Sequence, residues 1–306
     1  MADGKPEYAE ELRTDVALAR RLVADQFPQW SSLPVVRVEA DSTDNDMYRL
    51  VEHLAARLPK REGAAAPIDK EHAWLPRLEP HLPLAIPTPV ARGLPGCDYP
   101  LPWGVVRWLE GRPLQFDRVA GDVGLARDLV AFIAALHETD ATGAPAPGAH
   151  NHWRGVALRA RDAHIRRRFE WLADVPDINA VATAWRKDSA AAPWDGPPVW
   201  IHGDLKDANL LEMDGRLSGV LDWSCAAAGD PANDIAVAWT LFAGEARAVF
   251  REALAVDEAT WMRARAWALI EGVLGLSYYR GRNDALASAG RRMIDAVLAD
   301  HARGAD

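Results

Sequence analysis

Asp204 and Asn209 stand five positions apart in Trp200-Ile201-His202-Gly203-Asp204-Leu205-Lys206-Asp207-Ala208-Asn209, and Asp222 follows in Val220-Leu221-Asp222-Trp223. One carboxylate and one amide carbonyl are hard oxygen ligands, which suit a Mg²⁺ ion shared with nucleotide phosphates. The remaining carboxylate, Asp204, is then free to orient or deprotonate a substrate hydroxyl. The competing interpretation is a polar loop beside an ordinary hairpin, with Asp and Asn serving only as turn formers.

The flanking sequence decides whether these groups can meet. Pro198 to Ile201 is short and apolar and reads as a buried strand leading into the loop. Leu210-Leu211 and Leu217 to Leu221 are two further apolar runs, separated by Glu212-Met213-Asp214-Gly215-Arg216. Asp-Gly between apolar runs predicts a tight hairpin, because a type I′ turn needs positive φ at both central residues. A hairpin closed at Asp214-Gly215 folds Asp222 back beside Asn209 and Asp204.

Composition narrows the class. The chain has 306 residues, 49% hydrophobic and 26% charged. That is about two domains' length with enough apolar content for a real core. The formal net charge of −9 disfavours nucleic acid and anionic membrane as partners and is compatible with a cationic small molecule. The two cysteines, Cys97 and Cys225, have neither disulfide-framework nor zinc spacing, which points to a reducing, cytoplasmic setting. The charged N-terminal segment lacks the apolar stretch of a signal peptide, and no run reaches membrane-spanning length. Most of the thirteen tryptophans are expected in core packing.

Along the chain, Leu12, Val16, Ala19, Leu22, Val23 and Phe27 mark a helix that Pro28 ends. Strands are expected over Val35 to Asp41, Met47 to Leu50, Leu54 to Leu58 and Trp103 to Gly111, with a short helix over Lys70 to Leu78. Helical spacing then dominates: Leu125 to Leu136, Arg159 to Leu172, Ala232 to Trp239, Trp261 to Tyr279 and Leu286 to Leu298. Thr142 to Gly155 is a Gly/Pro/His loop long enough to be a functional element. A strand-rich first third and a helix-rich remainder imply an α+β, bilobal molecule. Asp230-Pro231 opens a helix by capping rules, with Asp234 favourably placed in its first turn.

In protein kinases the catalytic loop reads H-R-D-x-x-x-x-N, followed by the metal-binding Asp of D-F-G. The frame here is His-Gly-Asp-x-x-x-x-Asn, then Leu-Asp-Trp. The chain resembles the aminoglycoside phosphotransferase family, a branch of the protein-kinase-like fold, over nearly its whole length. The resemblance implies an N-lobe over residues 1–106 with a small β-sheet and a helix. It implies a hinge at 107–111 and a helical C-lobe over 112–306 with the catalytic loop and acceptor cleft. It implies ATP or GTP as donor, Mg²⁺ on Asn209 and Asp222, and Asp204 as catalytic base. The cation that grips the phosphates falls at Arg57, in place of the usual lysine, with Glu71 as its partner on the next helix and Lys60 as the lesser candidate. The nucleotide-covering turn falls at Ser42, Thr43 and Asn45, without the glycines of a kinase loop. Arg107, Trp108 and Leu109 are placed to offer backbone groups to the purine. Lys206 is positioned to approach the γ-phosphate. His202 and Asp230 are expected to brace the catalytic loop rather than react.

The acceptor is less defined. Acids at Glu245, Asp257, Glu271 and Asp284 could meet ammonium groups. Glu271, alone in an apolar helix, is the leading candidate. The expected activity is phosphorylation of a hydroxyl on an aminoglycoside-like antibiotic, by a monomer or homodimer. Alternatives are a metabolic kinase for choline, homoserine or a sugar, a macrolide or peptide-antibiotic kinase, and a pseudokinase scaffold. A metal-dependent hydrolase is also conceivable, but no clustered His are spaced for it.

Overall fold

The computed structural model describes residues 11–38, 44–51 and 53–303. The expected Ser42 and Thr43 contacts lie outside the described residues. Two compact units are formed, Met1–Pro80 with Ala85–Glu110, and His81–Leu84 with Gly111–Asp306. Among the described residues no helix is long and apolar enough to cross a membrane.

The N-terminal unit holds strands β1 (Val36–Arg37), β2 (Asn45–Val51), β3 (Leu54–Pro59), β4 (Pro89–Gly93) and β5 (Trp103–Arg107), and helices α1 (Val16–Gln26), α2 (Glu62–Ala65) and α3 (Pro67–Leu78). The strands make one antiparallel sheet in the order β1-β2-β3-β5-β4. Asp15 starts α1 by accepting the Leu18 N–H at 2.7 Å, and α1 turns Ala19, Leu22 and Val23 inward. They join Tyr48, Leu50, Leu58, Trp103 and Val105 in this unit's core. On β2 the alternate residues Asp46, Tyr48 and Leu50 are buried, the period-two signature of a strand with one covered face. The helix expected from Lys70 begins earlier, at Pro67, since proline is well suited to a first helical turn.

The larger unit is mainly helical. It comprises β6 (Arg112–Pro113), α4 (Phe116–Val119), α5 (Val123–Glu138), α6 (Asp162–Trp171), α7 (Ile178–Asp188), β7 (Val199–Ile201), β8 (Leu210–Met213), β9 (Arg216–Val220) and β10 (Ala227–Gly229). Helices α8 (Ala232–Ile235), α9 (Val237–Leu241), α10 (Gly244–Leu254), α11 (Glu258–Tyr279) and α12 (Asp284–Arg303) complete it. The strands form two small antiparallel groups, β10-β7 and β6-β8-β9. The run expected as one helix over Ala232 to Trp239 is two short helices, and Arg159 to Leu172 is a short 3₁₀ turn followed by α6.

Helix α11 is the spine of this unit. Trp261, Trp267, Leu269, Ile270 and Val273 are all buried, around the whole circumference rather than along one stripe. A helix apolar all round must be enclosed. Its neighbour α12 reaches it closely because of glycine: a Cβ at Gly290 would lie 2.6 Å from the Leu276 nitrogen and 2.8 Å from the Gly272 carbonyl oxygen. Six tryptophans, 103, 185, 200, 223, 239 and 267, are among the largest fully buried side chains, in keeping with a packing role. Trp267→Ala is expected to cost about 3–5 kcal/mol through lost contacts and an unfilled cavity. Urea unfolding measures it, and a loss below about 1 kcal/mol would contradict the central placement of α11.

Candidate active site

The hairpin forms as the sequence predicts. Asp214 and Gly215 both have positive φ, 53° and 77°, and join β8 to β9. Leu210 faces Val220 across the ladder, and the Leu221 N–H donates to the Asn209 carbonyl at 2.8 Å. Asp222, the next residue, is therefore delivered beside Asn209. Its own backbone is in the left-handed region at φ 58°, uncommon for a non-glycine and typical of functional turns. There its carboxylate accepts the Ser224 N–H at 3.3 Å and lies near enough for its charge to act on His202, Lys206 and Cys225.

Asp204 sits at the centre of a dense polar set. Arg154 Nη2 lies 3.1 Å from Oδ1, Lys206 Nζ 2.8 Å from Oδ2, and Asn209 Nδ2 donates to Oδ2 at 3.1 Å and to the Asp204 carbonyl at 2.8 Å. Burial pushes the Asp204 carboxyl up, but the Arg154 and Lys206 charges outweigh it and hold the group down to about 2. Reciprocally, burial would lower the Lys206 ammonium, and Asp204 raises it. Because the Asn209 amide nitrogen is committed to Asp204, its Oδ1 is the atom left for a cation. An amide oxygen and the Asp222 carboxylate fit Mg²⁺, which takes few protein oxygens when phosphates supply others. Among the described residues no three His, Cys, Asp or Glu side chains cluster as a metal site.

The loop is held from below. His202 and Gly203 donate their N–H groups to Asp234 Oδ2 and Oδ1 at 2.7 and 2.8 Å. The Asp204 N–H donates to His202 Nδ1 at 3.2 Å, so the ring proton is on Nε2 and points to the Leu221 carbonyl at 2.9 Å. Burial pushes the imidazole pKa down, favouring this neutral form. His202 thus ties the loop to the end of β9. Gly203 is required here: its φ is 83°, and a Cβ would stand 2.7 Å from the Cys225 carbonyl oxygen.

Asp230 does not touch the loop, which corrects the expectation from sequence. It caps α8 by accepting the Ala232 N–H at 3.0 Å, and its carboxylate pairs with buried Arg263 at 2.8 Å. The bracing carboxylate is Asp234, whose first-turn position had suggested only a helix-dipole role. Glu271 is likewise not an open ligand for an ammonium group, since Arg154 Nη2 lies 3.1 Å from its Oε2. Arg154 itself had no motif to mark it. The loop that carries it was expected to be a functional or mobile element, and three positive-φ positions flank the residue, His152 (57°) and Trp153 (62°) before it and Gly155 (79°) after. These turns aim the guanidinium at Asp204, Glu271 and the Cys225 sulfur, 2.9 Å away.

In the N-terminal unit, Arg57 on β3 and Glu71 on α3 meet at 2.6 Å, with Glu71 almost wholly buried. Lys60 points instead toward Asp46, 3.8 Å away. Asn45 opens β2 opposite Pro59. The N–H groups of Arg107 and Trp108 are taken by the Thr88 and His53 carbonyls at 3.0 and 2.9 Å. Of the three positions expected to offer backbone groups, two thus have their N–H groups engaged within the unit.

The model of the phosphotransferase enzyme family, APH, matches residues 35–267. The chain belongs to this family. The uncharacterized protein YcbJ of Bacillus subtilis (strain 168) is 29% identical over 171 residues, covering 53% of this chain and 51% of that protein. A hygromycin-B 4-O-kinase of Escherichia coli is 27% identical over 165 residues, covering 50% and 47%. The chain thus spans about half the length of the curated relatives it matches. In fold the likeness is nearly complete. The GDP and kanamycin complex of an aminoglycoside phosphotransferase, APH(2″), superposes with a TM-score of 0.70 at 19% identity, covering 92% of this chain and 98% of the other. The APH chain is accordingly a protein-kinase-like molecule, with an antiparallel sheet in its N-terminal unit and a larger helical C-terminal unit.

Two substitutions separate the roles of the buried acids. Asp234→Ala strands two loop N–H groups and is expected to cost about 3 kcal/mol or more. Asp230→Ala leaves Arg263 buried and unpaired, also about 3–5 kcal/mol, but spares the loop. Hydrogen exchange at the His202 and Gly203 amides should accelerate in the first variant alone. Equal acceleration in both would refute the assignment.

Proposed function

We propose that this APH-family chain transfers the γ-phosphoryl group of ATP or GTP to a hydroxyl of a small molecule. The observation that carries this reading is the convergence of Asp204, Asn209 and Asp222 at the open end of one β-hairpin. Asn209 and Asp222 would hold Mg²⁺, which when bound neutralises phosphate charge. Arg57, fixed by Glu71, supplies a fork-shaped cation for phosphate oxygens. Leu109 offers its N–H to the purine. The kinship with a hygromycin-B kinase and the fold shared with a GDP-bound phosphotransferase support a nucleotide donor and an antibiotic-like acceptor.

Asp204 faces the acceptor hydroxyl. A carboxylate held as low as about 2 is a weak base, so its first contribution is orientation. It receives the proton late, when the oxygen has begun to bond phosphorus. Lys206 keeps it ionised and stands beside the developing charge. Retention of all three polar groups argues against a scaffold that binds nucleotide without turnover.

The test is incubation of the purified chain with Mg²⁺ and ATP or GTP against aminoglycosides, macrolides, peptide antibiotics, choline-like amines and hydroxy acids. A gain of one phosphate on one class establishes the reaction, and phosphate release to water alone would instead indicate a hydrolase. Asp204→Ala should lower turnover by at least about 10³-fold while leaving nucleotide affinity within about twofold. Undiminished activity in that variant removes Asp204 from the mechanism.

The pH dependence has a defined sign. The folded pKa of Asp204 lies below the ordinary value, so the ionised form persists on acidification. Its stabilising effect is complete above about pH 3.9 and is lost only as pH falls toward the folded value. The kcat/KM profile should therefore show no acid limb from Asp204 above about pH 4. In Arg154→Met, a limb should move up into that range.

A further inference from the structure

The cavity that Asp204 opens into is basic, although the chain as a whole carries −9. It measures about 560 Å³ and is built entirely within the larger unit, from the Arg154 loop, α6, α11 and α12. Two of its carboxylates, Asp204 and Glu271, are already neutralised by Arg154 and Lys206. An incoming ammonium group would have to displace these partners.

The third lining carboxylate, Asp207, accepts the N–H of its neighbour Ala208 at 2.9 Å, and the cations of the cavity still outnumber its acids. Arg161, His164 and Arg168 line the cavity at positions i, i+3 and i+7, one face of α6 and the turn before it. Arg161 is only 8% exposed, its Nε has no hydrogen-bond partner, and it forms no ion pair with any described carboxylate. Arg168 and Arg292 also lack a described acidic partner, and their guanidinium carbons lie 4.2 Å and 5.1 Å from the ring centroids of Trp171 and Phe116. The field of this group is visible in His164. Burial, then Arg161, Arg168 and Arg167, push its imidazole down to about 4, and no carboxylate offsets them. Burial lowers the Arg161 guanidinium more than the charge of Glu271 raises it, with Arg154 and Arg168 adding to the loss, and an arriving anion would recover part of that cost. Opposite this face, Leu274, Tyr278, Tyr279 and Met293 give the cavity an apolar and aromatic wall.

Resting on the kinase reading above, we propose that the acceptor bears an acidic group, carboxylate or phosphate monoester, on an apolar ring-containing body. Arg161, with Arg168 and Arg292, receives the acidic group, the aromatic wall holds the body, and Asp204 meets the hydroxyl. This replaces the polycationic acceptor expected from net charge and from Glu271.

Binding without turnover tests the proposal separately from the kinase reading, because the probes have no hydroxyl to phosphorylate. The full chain, saturated with Mg²⁺ and ADP, is titrated calorimetrically with 3-phenylpropionate, benzyl phosphate, neutral 3-phenylpropanamide and 3-phenylpropylammonium. At least one oxyanion should bind about tenfold or more tightly than the amide and the ammonium, and the tighter of the two identifies the acidic group. Arg161→Met should weaken that binding about tenfold. Arg168→Gln, at a half-buried position that tolerates change better, should weaken it about threefold or more with melting temperature preserved. The proposal is overturned if the ammonium probe matches the oxyanions, if neither oxyanion binds, or if Arg168→Gln leaves oxyanion affinity unchanged. The kinase reading stands or falls on phosphoryl transfer alone.

Discussion

A single buried carboxylate carries the catalytic loop. Asp234, 1% exposed, accepts the N–H groups of two successive residues, His202 and Gly203. The backbone of a loop leaving a buried strand has polar groups that neither strand nor helix can satisfy, and each left unpaired would cost a hydrogen bond's desolvation. An ionised acceptor placed under both at once settles the loop into one conformation. From there the order propagates. The His202 ring receives the Asp204 N–H on one side and reaches the Leu221 carbonyl on the other. One buried imidazole thus links the loop to the hairpin that brings Asp222. The spatial relation of Asp204, Asn209 and Asp222 follows largely from backbone bonds, and the two carboxylates among them would otherwise repel.

The electrostatics of the larger unit are arranged in two tiers. Close to Asp204, charges are matched: Arg154 is shared between Asp204 and Glu271, and Lys206 takes the second oxygen. This keeps the Asp204 carboxylate ionised although burial pushes its pKa up. Further along the cavity cations predominate, and burial together with Arg161 and Arg168 depresses the neighbouring imidazole of His164. A chain with a net charge of −9 nonetheless concentrates guanidinium groups in one cavity. Net charge is a sum over the surface, and it carries no information about the local sign of a cleft.

The legible parts of the sequence were those governed by local rules. Asp214-Gly215 specified a hairpin because few residue pairs tolerate positive φ twice in succession. The covered face of β2 and the all-round burial of α11 follow from apolar spacing. The frame His202-Gly203-Asp204 with Asn209 and Asp222 named the family before any fold was known, and the family match over residues 35–267 agrees. Arg57 and Glu71 were paired on paper by analogy and lie 2.6 Å apart. The misreadings share a cause. Asp230 read as an N-cap and Asp234 as a first-turn acid, the resemblance assigned the bracing role to Asp230, and local capping chemistry cannot say which of the two faces a loop some thirty residues earlier. Glu271 is a conspicuous acid in an apolar helix, and nothing near it in sequence reveals the guanidinium that neutralises it from 117 positions away.

Sequence by itself determined most of the element types, the turn at Asp214-Gly215 and the family, because each rests on dihedral preference or on a short run of residue types. Tertiary structure alone decided which carboxylate supports the loop, that Arg154 closes on Asp204, and that the cavity beside Asp204 is rich in cations. Those outcomes depend on which distant side chains share a buried space. There the energy of a charge is set by its neighbours and its desolvation, quantities that exist only after the chain has packed.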